Sequence, residues 1–515
     1  MILALSAWAL WPPAQDVKAV RLGSATSAAK PQAVNAKHLI RFNPGPLYLP
    51  GVVRENSTKP TEGIVRVGEA FEKLYPDTRI EFVPGGAREW LVTQLSSGQA
   101  PDVIQVNVEE VWQDIQKNWY VPLDEYLEAP NPFVKAGEPG SKQWWDMFKY
   151  VDPTRGTTAP DGHMYCIVLD MIETGIFYNK DLFARLRLRE PKDWVEFLAI
   201  QRKIKEAGYI PTLIDKGAFS DWAVDLTFDQ VYGDLRPLLD LDYDPRRGDY
   251  LKGYLDWDEI IFLHNKGFFT PADPRWREVW RILKEWRPFL SKDLSSPENM
   301  FKSFATEQGA MLWGHSMNVN RLVHDPNRTF DWGIFYLPAI PKSYCRFANG
   351  HNQCVIGGSA MQYNVTNSSY KDTGDPKTSE RLQRVIAFLQ FLTAPENCKQ
   401  VVNEQVALLP NIKGVEPHDV LKPFDDFLQR NYSMTKWVFT FDNQFNETML
   451  RMLELYLNDG IDQNEFLRLL EQDMSRTARQ IVQRKNLDLS RFERVWQERL
   501  PMRAQFTELP PEPAR

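Results

Sequence analysis

The apolar positions alternate between two periods from His38 onward. Leu39-Ile40-Arg41-Phe42 is a short strand stopped by Asn43-Pro44-Gly45. Ile64, Val67, Phe71 and Leu74 recur at helical spacing until Pro76 ends the run. Arg79-Ile80-Glu81-Phe82-Val83 alternates as a strand, closed by Pro84-Gly85-Gly86. Trp90, Leu91, Gln94 and Leu95 predict a helix ending at Gly98, then Val103 to Val106 a strand. Val111, Ile115 and Trp119 mark another helix face. Strand–helix repeated three times implies a mostly parallel sheet with helices on both faces. Ligands of such sheets bind beyond the carboxyl ends of the strands. Pro84-Gly85-Gly86 and Asn107 to Glu110 are thereby expected at a cleft rim.

Further along, Ile176-Phe177-Tyr178, Ala310 to Trp313 and Trp332 to Phe335 read as buried strands. Trp194, Leu198 and Ile204 fit a helix stopped by Gly208, and residues 220–300 read as long, aromatic and mostly helical. Leu382, Val385, Ile386, Leu389 and Leu392 make an amphipathic helix ending before Pro395. Asp462 with Glu465 is a capping box opening a helix to about Gln483.

Composition narrows the function. The 515 residues allow two to four domains or two large lobes. With 61 Lys+Arg and 68 Asp+Glu, the net charge of −7 argues against nucleic acid as the main partner. No apolar run reaches the roughly 18 residues of a membrane span. Residues 1–37 read as an export signal plus linker: an apolar run from Met1 to Trp11, then Pro12-Pro13, then small residues. A basic start and a following Cys are lacking, and a disordered tail is the alternative. Residues 501–515 read as a disordered tail.

Catalytic signals are sparse. No glycine-rich phosphate loop and no zinc-binding helix motif occurs. Gly314-His315-Ser316-Met317-Asn318 begins like a nucleophile elbow but lacks its closing Gly. Asp240, Asp242 and Asp244 alternate like a calcium loop, but Pro245 stands where that loop needs Gly. No metal and no cofactor is expected. Cys345 and Cys354 are close enough in sequence to bridge a hairpin in an exported chain, with geometry unspecified.

Several ordered segments resemble the extracellular solute-binding proteins of bacterial ABC importers, in the carbohydrate-binding group that includes maltose-binding protein. They are Ala70 to Pro76, Gly98-Gln99-Ala100-Pro101-Asp102-Val103-Ile104, Val121 to Asp124, Asp161 to Tyr165, Tyr178-Asn179-Lys180-Asp181-Leu182-Phe183, Glu190 to Phe197, Gly309 to Met311, Asp331 to Pro338 and Phe391 to Glu396. The resemblance implies a two-lobed α/β fold, each lobe a mostly parallel sheet flanked by helices, with the ligand cleft between lobes. It places lobe 1 at 38–168 plus 315–394 and lobe 2 at 169–314 plus 395–500. Crossings between lobes are expected near Tyr165–Gly175, Gly314–Asn318 and Ala394.

The resemblance also implies site residues. Asn107, Glu109 and Glu110 follow the third strand where polar sugar contacts fall, with Gly85 and Gly86 at the neighbouring rim. Asp170 and Glu173 lie in the hinge stretch. Phe219, Asp221 and Trp222 match a stretch giving aromatic and acidic contacts. The segment after Gly314 carries a stacking Trp in the family; here Met317 stands there, with Trp313 and His315 nearby. Trp222 and Trp313 fit a core as well as a ligand, and Asn107 and Glu109 fit helix caps as well.

The expected function is capture of a carbohydrate, of oligosaccharide size, by a monomer exported to the periplasm or cell surface. Its partner is an ABC permease, and no catalysis is expected. The alternatives are a glycoside hydrolase, needing two carboxylates roughly 5–9.5 Å apart, and a binding protein for glycerol phosphate, peptide or polyamine. Arg88 beside Gly85-Gly86 keeps a phosphate-bearing ligand open.

Overall fold

The computed structural model describes residues 36–52, 60–107, 110–111, 114–149, 159, 163–241, 255, 257–291, 297–350, 360–404, 406–425 and 443–499. The export-signal reading, Glu109, Cys354, Asp242, Asp244 and the C-terminal tail lie outside these residues.

Two sheets organise the chain. The first contains β1 (His38–Phe42), β2 (Thr78–Phe82), β3 (Val103–Gln105), β4 (Cys166–Val168) and β10 (Gln362–Val365), in the order β2-β1-β3-β10-β4. The second contains β6 (Thr174–Asn179), β7 (Ile210–Leu213), β8 (Gly309–His315) and β9 (Trp332–Phe335), in the order β7-β8-β6-β9. In each sheet one strand runs against the rest. β10 is antiparallel to β3 and β4, and β6 is antiparallel to β8 and β9.

The alternation of β6 shows how the second sheet is packed. Ile176 and Tyr178 enter one apolar cluster with Met311, Trp313 and Phe335. Phe177 enters another with Leu312 and Ile334 on the opposite face. The first sheet is likewise sandwiched. Ile40, Phe42, Val103 and Tyr363 meet the helices Gly63–Leu74, Glu380–Thr393 and Pro395–Val402. Ile104 meets Leu91 and Leu95 of the helix Arg88–Ser96 on the other side.

The family-like segments turn out to hold these layers together. Asp102, fully buried, accepts from Arg381 Nε at 3.0 Å, Arg381 Nη2 at 2.8 Å and the Arg41 N–H at 2.8 Å. Asn179 caps the helix Lys180–Arg185 by accepting from Leu182 N–H at 2.8 Å, and the Tyr178 hydroxyl donates to Glu190 at 2.6 Å. Asp462 caps the helix Gln463–Lys485 through Glu465 N–H. Only half of the expected box forms, because the Glu465 carboxylate turns to Arg468.

The chain leaves the first sheet at Val168 and enters the second at Thr174. In between, β5 (Asp170–Met171) pairs with β11 (Leu409–Pro410). It returns between Phe335 and Gln362. It does not return at Gly314–Asn318, because β9 still pairs with β6 after that point. Nor does Ala394 carry a crossing: Cys398, Val401 and Val402 share one core with Leu382 to Leu392. Strand pairing therefore puts β9 with the second unit, and the shared core puts Pro395–Val402 with the first, the reverse of the sequence-based boundaries.

Candidate functional site

Three parallel strands of the first sheet end side by side, and Asn43 ties their ends together. Asn43 is buried. Its Nδ2 donates to Val83 O at 2.9 Å, and its Oδ1 accepts from Gln105 N–H at 3.3 Å. Gly85 and Gly86 follow β2 on the exposed rim. A Cβ on Gly85 would stand 2.9 Å from Asn43 Nδ2, and one on Gly86 would stand 2.6 Å from Trp90 Cγ. Both approaches are closer than a Cβ tolerates, so a side chain at either position would force Asn43 or Trp90 to shift. Asn107 is half-buried, and its carbonyl accepts from Glu110 N–H at 3.0 Å. Glu110 is half-buried too, with a carboxylate oxygen 3.7 Å from Arg88 Nη1. Gly85, Gly86, Asn107 and Glu110 thus share the carboxyl edge of one sheet.

Asp170 and Glu173 sit in the first crossing, both with no exposed surface. Asp170 accepts from the Tyr48 hydroxyl at 2.6 Å and from the N–H groups of Ala360 and Met361 at 3.0 and 3.1 Å. Burial and the adjacent carboxylate hold the Tyr48 phenol well above its ordinary pKa. Glu173 accepts from the Tyr336 hydroxyl at 2.7 Å, and its carbonyl accepts from Ser316 N–H at 2.7 Å. These carboxylates bond to the returning crossing at Tyr336, Ala360 and Met361, and a fully buried pair engaged in this way does not face a cleft as a hydrolase pair must.

The aromatic candidates lie deeper. Phe219, Trp222 and Trp313 are 2%, 4% and 1% exposed. Trp222 touches Trp313 at 6.3 Å between ring centroids, Trp313 touches Trp286 at 5.6 Å, and Phe219 touches Trp286 at 6.2 Å. His315 closes the row edge-on to Trp222 at 5.9 Å. Burial pushes its imidazole down to about 4, so it is neutral near pH 7. Met317 packs partly buried on the core of the first unit, although β8 before it belongs to the second. Asp221 lies in the helical turn Phe219–Ala223.

Sequence reasoning missed Asn43, Tyr48 and Tyr336. Asn43 and Tyr336 directly follow strands, which was the available signal; Tyr48 had none.

Catalytic arrangements fare poorly. Ser316 is fully buried, with its N–H on Glu173 O. His264 Nε2 lies 2.8 Å from Glu471 and 3.4 Å from Ser475. Acid and hydroxyl therefore share one nitrogen, whereas a relay needs them on opposite ones. Among the described residues no group of three or more His, Cys, Asp or Glu is placed to hold a metal. Cys345 is a free, buried thiol, pushed up to about 11 by burial. A pocket of about 620 Å³ runs along the outer edge of β7, floored by Ile210, Leu213, Leu290 and Met300, and none of the described candidate residues lines it.

Two α/β units joined by crossing segments, with a glycine rim at the strand ends, define a two-lobed binding-protein fold. The model of the bacterial extracellular solute-binding proteins matches residues 55–398, and the chain belongs to that family. No curated protein sequence matches the chain. Among solved structures, apo RafE from Streptococcus pneumoniae is 15% identical with a TM-score of 0.61, over 87% of this chain and 100% of RafE. A chitin oligosaccharide binding protein is 15% identical with a TM-score of 0.57, over 86% of this chain and 98% of its own. The bacterial solute receptor AcbH is 14% identical with a TM-score of 0.58, over 86% and 99%. At these identities the likeness is one of fold.

Proposed function

We propose that the protein is the substrate-binding component of an ABC importer, which captures a carbohydrate outside the membrane and delivers it to a permease without transforming it. The observation that carries this reading is the family match over residues 55–398, joined to structural relatives described as binding sugars: RafE with raffinose, and AcbH with β-D-galactopyranose. An oligosaccharide is the favoured size class. The chain acts as a monomer in the periplasm or at the cell surface; none of the described helices is long and apolar enough to cross a membrane.

The ligand rim is assigned to Gly85, Gly86, Asn107 and Glu110 on one side, with Glu109, which lies outside the described residues, as a further contact, and to Asp221, Trp222 and His315 on the other, with Met317 against the first unit. Asp170 and Glu173 are assigned to the hinge, and Phe219 and Trp313 to supporting the aromatic row. Closure follows from tighter binding to the closed state. A sugar suits such a rim because amide and carboxylate groups both serve hydroxyls.

A thermal-shift screen of mono- and oligosaccharides, with glycerol phosphate and peptides as controls, tests the proposal. Ligand at 100 times its Kd should add about 2.7 kcal/mol, a rise of a few degrees or less in a chain this size. A saturable shift with a sugar recovered intact supports it. A shift only with a control, or a cleaved sugar, overturns it.

A further inference from the structure

We propose that Asp114 and Glu110 set the charge preference of the cleft by neutralising Arg88, so that the site takes an uncharged sugar and refuses sugar acids and sugar phosphates. This rests on the sugar-binding reading above.

Arg88 opens the helix Arg88–Ser96, two residues beyond Gly86 at the rim. A guanidinium in that place is a ready fork for a carboxylate or phosphate. Two of its nitrogens, however, already face carboxylates. Nη2 donates to Asp114, whose side chain is only 2% exposed, and Nη1 is buried 3.7 Å from the Glu110 carboxylate. The second cation of the cluster, Lys117, is bound as well. Its Nζ donates to Asp114 at 3.0 Å and lies 4.3 Å from the centre of the Trp119 ring.

Two cations thus face two carboxylates, and the cluster carries no net charge. The Asp114 carboxylate is the group that both cations share, which makes it the centre of the balance. An anion arriving at Gly85-Gly86 finds a guanidinium already paired in charge with two carboxylates and meets the partly exposed Glu110 carboxylate, 18% open to solvent. Neutral hydroxyls meet no such penalty. Charge placed against the wrong partner discriminates more than it binds.

The test uses the full chain and matched probes: galactose and raffinose as neutral sugars, galacturonate and galactose 6-phosphate as charged ones. Affinities are measured by calorimetry for the wild type, Asp114→Asn and Glu110→Gln. The wild type should prefer the neutral sugar by at least about tenfold, and Asp114→Asn, which leaves a net positive cluster, should move the charged-to-neutral ratio by roughly tenfold toward the charged sugar. Glu110→Gln should move it the same way by less. Equal or tighter wild-type binding of a charged sugar overturns the inference, as does a ratio unmoved in both variants. If Asp114→Asn does not fold, the wild-type ratio and Glu110→Gln decide. Binding of neutral sugars with an unmoved ratio removes this inference alone; binding of none of the sugars, neutral or charged, removes the sugar reading and the inference with it.

Discussion

The Tyr48 hydroxyl donates to Asp170 at 2.6 Å, joining a turn of the first unit to the segment that crosses into the second. The same carboxylate takes the N–H groups of Ala360 and Met361, where the chain arrives back. One buried anion therefore fastens these two crossings, the outgoing one at Asp170 and the returning one at Ala360 and Met361, to the first unit. Tyr48→Phe removes the hydroxyl donor and leaves the carboxylate its bonds from the Ala360 and Met361 N–H groups. A hydrogen bond to a charged group is worth about 1.5–3 kcal/mol, so urea unfolding should show a loss in that range. A loss below about 0.5 kcal/mol would show that the contact fastens nothing.

Asp102 and Arg381 are a second fixed point. The guanidinium grips the fully buried carboxylate with two bonds while Arg41 N–H supplies a third. Asp102→Ala leaves the Arg41 N–H and a largely buried Arg381 without this carboxylate, and breaking a buried pair from one side costs up to about 3–5 kcal/mol. Replacing both by apolar residues should recover much of it. A double-mutant cycle by denaturant melts measures this, and additive losses would contradict the coupling.

Local pattern was the legible part of this chain. The strands around Ile40, Ile80 and Ile104 and the helix with Leu382 and Leu389 were readable, because each buries one face at a fixed period. Lobe membership was not. β9 looks the same whichever sheet it joins, and its pairing with β6 depends on contacts about 155 residues away in sequence. Candidate site residues were legible only where glycine or a strand end marked them. The place of Gly85 and Gly86 just beyond β2 was read that way. The burial of Trp222 and Trp313 was not, since an indole reads alike in a core and against a ligand.

Gly86→Ala tests the rim directly. Its Cβ would fall 2.6 Å from Trp90 Cγ, so the indole must move, and Trp90 packs against Leu91 and its neighbours. Overpacking of this kind costs about 1–3 kcal/mol, and a rim displaced by even part of an ångström should weaken ligand binding further. The expected result is a drop in sugar affinity of about tenfold or more in calorimetry, alongside a modest stability loss. Gly98→Ala is the control: it is likewise strained, at a φ of 65°, but nothing lies near its Cβ. Equal losses of affinity in the two variants would place the ligand elsewhere.

His315 should make stability depend on pH. Burial lowers its pKa in the folded state to about 4, from an ordinary 6.5. Between those values the unfolded chain binds the proton and the folded chain does not. The unfolded state then binds more protons, so stability falls as pH falls. The contribution is fully present above about pH 6.5 and lost progressively down to about pH 4, with a full size of about 3 kcal/mol. Denaturant melts of the wild type and His315→Gln at pH 7.5 and pH 4.5 isolate it from other groups. The difference between the two proteins should shift by about 2–3 kcal/mol in favour of the variant at the lower pH. A difference that stays constant with pH would mean that the imidazole takes up protons in the folded protein as readily as in the unfolded chain.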